Sequence, residues 1–244
     1  EQIGSETVRG ILPRKVVRVV TPGTIIEPGM LESGRNNYLA AVVLQGRDAG
    51  FAFVDITTGE FRAAQFSSDA VDRIILDEIT RISPAELLVP DDMSHKIFLK
   101  KGVNVSQLPQ WKFESASSNK ILCDHFDVST LSGFGIGDKK QAIRASGAIL
   151  HYLGNTQSGA LRLLSSLATY NTNDYMQLDA ATRRNLELTK TAHSGEALGS
   201  LLQVLDDTVT PMGGRLLRQW INRPLLDVSA INERLDGVSS IYDN

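Results

Sequence analysis

The sequence predicts a mixed α/β domain followed by the start of an all-α region. Runs rich in β-branched and aromatic residues fill the first part of the chain, interrupted by one amphipathic helical stretch. Beyond about Ser166 the apolar residues take up helical spacing, with caps and prolines marking the boundaries. A chain of 244 residues that is 42% hydrophobic and 22% charged suffices for one large domain or two ordinary ones.

Taken in order, Val16 to Val20 is a β-branched run interrupted by Arg18, and it leads into the turn Thr21-Pro22-Gly23-Thr24. Tyr38 to Leu44, Phe51 to Thr57 and Phe61 to Phe66 read as strands, the last two joined across Thr58-Gly59-Glu60, and together they predict an antiparallel meander. A helix opened by Ser67 or Ser68 carries Val71, Ile74, Ile75, Ile79 and Ile82 on one face and ends at Pro84. Glu86 to Val89 is a short strand stopped by Pro90. Strands, a crossover helix and another strand predict a mixed sheet covered by helices. His95 to Lys100 and the stretch around Trp111 are candidate edge strands, and Asp138 caps a helix running to about Leu153, closed by Gly154.

In the remainder, Tyr175 to Leu178 is one strand candidate, and helices are expected over Ala180 to about Lys190, Glu196 to Leu205, Met212 to Ile221 and from Val228 onward. Thr210 is an N-cap with Pro211 at the first helical position, Pro224 ends that helix, and Asp227 caps the next. Leu201, Leu202, Leu205, Leu216, Leu217, Trp220 and Ile221 are expected to hold this part together. Ile231, Leu235, Val238 and Ile241 form a stripe that wants a partner face. With Glu1-Gln2-Ile3-Gly4 reading as the tail of a preceding element, the chain is expected to be a piece of a longer protein.

Composition narrows the function. With 25 Lys and Arg against 28 Asp and Glu, the net charge is −3, which excludes a strongly basic nucleic-acid module. The charge balances to zero over residues 1–168 and to −3 over 169–244. Arg9, Arg14, Lys15 and Arg18, the pairs Lys100-Lys101 and Lys139-Lys140, and Arg183-Arg184 read as solvated faces rather than phosphate contacts. The longest wholly apolar run, Leu39 to Leu44, falls far short of the ~20 residues of a membrane span. A cytoplasmic protein is expected. The single cysteine, Cys123, fits a reducing compartment and reads as a small buried hydrophobe.

The chemistry is sparse. His95, His125, His151 and His193 fall in separate elements without metal-ligand spacing, and structural hydrogen bonding is their ordinary use. No phosphate-binding G-x-x-x-x-G-K-[ST] loop occurs, so ATP hydrolysis is not expected of these residues. Gly133-Phe134-Gly135-Ile136-Gly137 resembles a phosphate cradle only superficially, because the third glycine of that spacing would fall at Asp138. One constellation points to an enzyme. Asp55 on a strand, Glu78 on the next helix and Asp91 or Asp92 after the following strand are laid out as in two-metal nucleases. Against this, Glu78 is assigned to the polar side of its helix, and all four carboxylates have ordinary readings as surface or turn residues.

The decisive pattern is longer. Asp179-Ala180-Ala181-Thr182-Arg183-Arg184-Asn185-Leu186-Glu187-Leu188, then Ser200-Leu201-Leu202, then Leu205 through Thr210-Pro211-Met212-Gly213-Gly214-Arg215 to Ile221, closely resemble the start of the core domain of the MutS family of bacterial DNA mismatch repair proteins. Arg14 to Thr24, Asp55 to Phe61 and Pro84 to Leu88 are similar to that family's connector domain.

The resemblance implies residues 1–12 as the tail of a mismatch-binding domain, 13–168 as a connector with a ribonuclease H-like mixed sheet flanked by helices, and 169–244 as the first part of the helical core. It implies a non-catalytic connector and lever, with a MutL docking surface, within a protein that binds mismatched duplex DNA, couples this to ATP and Mg2+, and forms a homodimer. The family's mismatch-reading motif and ATPase motifs have no counterpart here. No catalytic, cofactor-binding or metal residue is therefore assigned, and the alternative remains a ribonuclease H-like nuclease using Asp55, Glu78 and Asp91 or Asp92.

Overall fold

A computed structural model describes residues 18–32, 34–93 and 102–242. Val16 and Val17 of the first predicted strand, the candidate edge strand His95 to Lys100, and the basic residues Arg9, Arg14, Lys15, Lys100 and Lys101 lie outside them. Arg18 to Val20 join no strand; the Val19 N–H instead donates to the Thr156 carbonyl at 2.9 Å.

The meander forms as β1 (Tyr38–Gln45), β2 (Asp48–Asp55) and β3 (Glu60–Ser67). β2 starts earlier than the apolar pattern implies because Gly46, at φ +61°, makes a two-residue hairpin that pairs Gln45 with Asp48. Next come α1 (Val71–Ile82), β4 (Glu86–Pro90), β5 (Asn104–Leu108), α2 (Ser115–Phe126), α3 (Lys140–Thr156) and the two-residue β6 (Ala168–Thr169). The sheet order is β5-β4-β1-β2-β3-β6, with the β1-β2 and β2-β3 pairs antiparallel and the others parallel. This is the mixed sheet the sequence predicts.

Both faces are covered, and the period of two along the strands sorts the side chains between them. Leu39, Ala41, Val43, Ala52 and Val54 pack with α2 and α3, whereas Ala40, Val42, Phe51 and Phe53 pack with α1. α3 lies so close to β2 that a Cβ on Gly50 would sit 1.9 Å from the Gln141 carbonyl oxygen.

Several predicted boundaries move. Ala70 precedes α1 as its N-cap, with Ser68 Oγ accepting from the Ala70 N–H at 3.1 Å, so neither Ser67 nor Ser68 is the cap. α3 starts after Lys139 rather than at Asp138, and it runs through Gly154 to Thr156, whose Oγ1 donates to the Tyr152 carbonyl. Trp111 sits in a 3-10 turn, Gln110–Phe113, because Pro109 ends the edge strand before it.

The helical part comprises α4 (Ala180–Asn185), α5 (Leu201–Leu205), α6 (Pro211–Asn222) and α7 (Val228–Tyr242). The caps are those the sequence marks: Thr210 accepts from the Gly213 N–H, and Asp227 from Ser229 and Ala230. Asp179 and Ser200 cap α4 and α5. α4 and α5 are shorter than predicted because Glu187, Gly195 and Gly199 take positive φ between them. Tyr175 makes a single bridge to Leu225 in place of the predicted strand.

Of the seven residues expected to hold this part together, Leu202 alone is buried; Leu201, Leu205 and Leu216 are exposed, and Leu217, Trp220 and Ile221 are half-buried. The reason is that α6 meets the sheet domain through its polar C-terminal end, Gln219 and Arg223, rather than through its apolar stripe. The α7 stripe is exposed throughout, from Ile231 to Ile241. Among the described residues, no helix is long and apolar enough to cross a membrane.

Candidate functional site

The chemistry-bearing residues converge where α1 and the sheet meet α4 and the end of α6. Glu78 falls seven residues after Val71 and four before Ile82, on the buried stripe of α1 rather than its polar side, and is 5% exposed. Its Oε1 accepts from Arg81 Nε at 2.8 Å, Arg81 Nη2 closes a second contact to Oε2, and the Tyr170 hydroxyl donates to Oε2 at 2.9 Å. Arg223, following α6, is equally buried, its guanidinium 5.5 Å from the Phe53 ring centre, 5.7 Å from Tyr170 and 6.0 Å from Tyr175. Arg183 on α4 donates to the Leu178 carbonyl and to both Oδ1 and the carbonyl of Asn222. Thus α4 is tied to α6, and α6 to the sheet.

Electrostatics follow from this crowding. Burial, then the Glu78 charge, pushes the Tyr170 hydroxyl well above its ordinary range. Burial and the neighbouring Arg81 lower Arg183 to about 10 and also lower Arg223. For Arg81, burial opposes the charge, but the hydrogen bond and charge of Glu78 outweigh it and hold the group above its usual value. Cavities of about 390 and 440 Å3 flank the cluster and share Arg81, Arg183, Asn222 and Arg223 as a common wall.

The proposed nuclease carboxylates are not brought together. Asp55 ends β2 opposite Tyr38, whereas Asp91 follows β4, whose Glu86 pairs with Leu39 and which runs the other way along the sheet. The register puts Asp55 and Asp91 at opposite ends, roughly 20 Å apart at ~3.3 Å per residue, against the ~4 Å spacing of paired metals. Asp55 is fully buried rather than a surface residue, accepting from Asn36 Nδ2, the Asn37 N–H, and the Thr57 N–H and hydroxyl. Glu78 is committed to Arg81, and Asp91 and Asp92 are exposed in a turn. Among the described residues no three His, Cys, Asp or Glu gather as a metal site.

The other candidates take structural roles. His125 bonds the Leu164 carbonyl at 2.8 Å, and His151 bonds Ser117 Oγ at 3.0 Å, its pKa lowered by burial and Lys112. His193 is exposed, and His95 lies outside the described residues. Gly135, at φ +72°, caps the 3-10 turn Ser132–Phe134 in the loop before α3. Arg183 corrects the reading of its pair as a solvated face: α4 is a short turn laid against α1, which covers one of two adjacent arginines and leaves Arg184 exposed. The signal within reach was Glu78, a carboxylate on the apolar stripe with Arg81 one turn later.

A family model described as MutS domain II matches residues 37–167, and one described as MutS domain III matches residues 181–244. This chain belongs to the MutS family. The DNA mismatch repair protein MutS of Halothermothrix orenii is 43% identical over 97% of the chain and 27% of its own length. That of Thermosynechococcus vestitus is 40% identical over 97% of the chain and 28% of its own length, and that of Symbiobacterium thermophilum 42% over 96% and 27%. The chain therefore spans little more than a quarter of the relatives it matches. Arg81 and Glu78 fall within MutS domain II, Arg183 and Arg223 within MutS domain III, and Tyr170 in the interval between the matches, so the buried cluster is the junction of the two MutS domains.

Proposed function

We propose that the chain is the non-catalytic connector and lever segment of a DNA mismatch repair protein. Residues 13–168 form the connector, 169–244 begin the helical core, and 1–12 are the tail of the mismatch-binding domain. The observation that supports this is the buried junction itself. Arg223 is packed among Phe53, Tyr170 and Tyr175, so a displacement of α6 loads the sheet through aromatic rings rather than through a flexible linker. The parent protein is cytoplasmic and homodimeric, binds mismatched duplex DNA, and binds and hydrolyses ATP with Mg2+ at residues outside this chain.

The connector also serves as a docking surface for MutL. Calorimetric titration of MutL into this chain is expected to give saturable binding at micromolar concentrations; no binding to the chain or to its full-length parent would remove the docking role.

A further inference from the structure

The larger cavity, about 440 Å3, is lined by seven cationic side chains and no carboxylate. Five of these come from elements of both domains: Arg81 from α1, Arg183 and Arg184 from α4, Arg218 from α6 and Arg223 just beyond it. Two of its lining residues carry buried guanidinium nitrogens, Arg218 Nε and Arg223 Nη1, with no hydrogen-bond partner among the described residues. Arg223 itself is only 5% exposed. Arg81 is satisfied by Glu78, and Arg183 by Asn222 and the Leu178 carbonyl, so the unsatisfied donors of this wall are those of Arg218 and Arg223.

Buried charged donors without acceptors are costly, and a guanidinium fork fits two oxygens of an oxyanion. We propose that this cavity binds a small phosphate-bearing anion, with Arg218 and Arg223 as its principal donors. A phosphate group brings about two negative charges at neutral pH, a better match than one carboxylate to the Arg218 and Arg223 guanidinium groups, since Arg81 and Arg35 are already paired with Glu78 and Glu32. The apolar side chains of Ile82 and Leu188 on the same wall leave room for a group attached to the phosphate. Because Arg81 and Arg218 belong to different domains, the bound anion would pin the junction from both sides.

The test is calorimetric titration of pyrophosphate into this chain at low ionic strength without divalent metal, with citrate as the polycarboxylate arm. One site is expected, weakened at least about tenfold by Arg218→Gln and by Arg223→Gln. Arg218 is half-exposed, so its variant remains informative if the Arg223 variant misfolds. Arg47→Gln, which removes an exposed charge paired with Asp69 far from the cavity, is expected to leave binding unchanged. No saturable heat up to about 10 mM, equal weakening by the Arg47 and Arg218 variants, or citrate binding as tightly as pyrophosphate would each overturn the proposal.

Discussion

The Tyr170 hydroxyl donates to Glu78 Oε2 at 2.9 Å, and the face of the same ring carries Arg223 at 5.7 Å. One aromatic side chain thus joins the helix on the sheet to the end of α6. Because the Arg81 side chain is only 10% exposed, Glu78→Gln leaves a buried guanidinium without its counter-charge. It is expected to cost ~3 to 5 kcal/mol in denaturant melts, and Tyr170→Phe ~1 to 2 kcal/mol. A loss below ~1 kcal/mol for Glu78→Gln would show that Arg81 reaches another acceptor or water.

Two glycines of α3 separate packing from propensity. A Cβ on Gly147 would lie 2.3 Å from Ser118 Cβ, so Gly147→Ala must push α2 away and is expected to destabilise by ~2 kcal/mol or more. Nothing lies within 4 Å of a Cβ on Gly154, inside the same helix, and Gly154→Ala is expected to stabilise by ~0.5 to 1 kcal/mol. Equal effects of the two substitutions would contradict the tight α2-α3 contact.

Alkaline pH should loosen the sheet domain. Burial, reinforced by its hydrogen bond to Glu86, pushes the Tyr152 hydroxyl up to about 12. The unfolded chain releases that proton near 10, so this contribution is complete below about pH 10 and is lost as pH rises toward 12. Unfolding free energies across this window are expected to fall, less steeply for Tyr152→Phe; identical slopes would show that the hydroxyl does not contribute.

The exposed stripe of α7 is expected to contribute little to the stability of this chain. Leu235 on α7 is 57% exposed, and Leu235→Ser is expected to change the stability of this chain by less than ~0.5 kcal/mol. Trp220, half-buried with Arg234 at 4.2 Å over its ring, is expected to cost ~1 to 2 kcal/mol on replacement by Ala, short of a fully buried tryptophan. A larger loss from Leu235→Ser in this chain would mean that α7 packs in solution.

The strands, α1 and the capped helices were legible because each depends on local chemistry: alternation in β2, the Thr210-Pro211 start of α6, the Asp227 cap. The junction was not. Glu78 and Asp55 look like surface carboxylates until Tyr170, 92 residues from Glu78, and Asn36 supply their partners. Arg183 and Arg223 sit in short or irregular segments where no periodicity declares a buried face. Burial of Arg183 and Arg223 comes from domain docking, and that of Asp55 from the segment before β1, and single-element patterns carry no record of either.

The central claim is that this junction couples the two domains within the mismatch repair protein. The most direct measurement is ATP turnover of the full-length parent with and without mismatched duplex, for wild type and Arg223→Gln. The account predicts that the response to mismatch falls at least about fivefold while basal turnover stays within about twofold. An Arg223→Gln protein that folds and keeps the full mismatch response would contradict it.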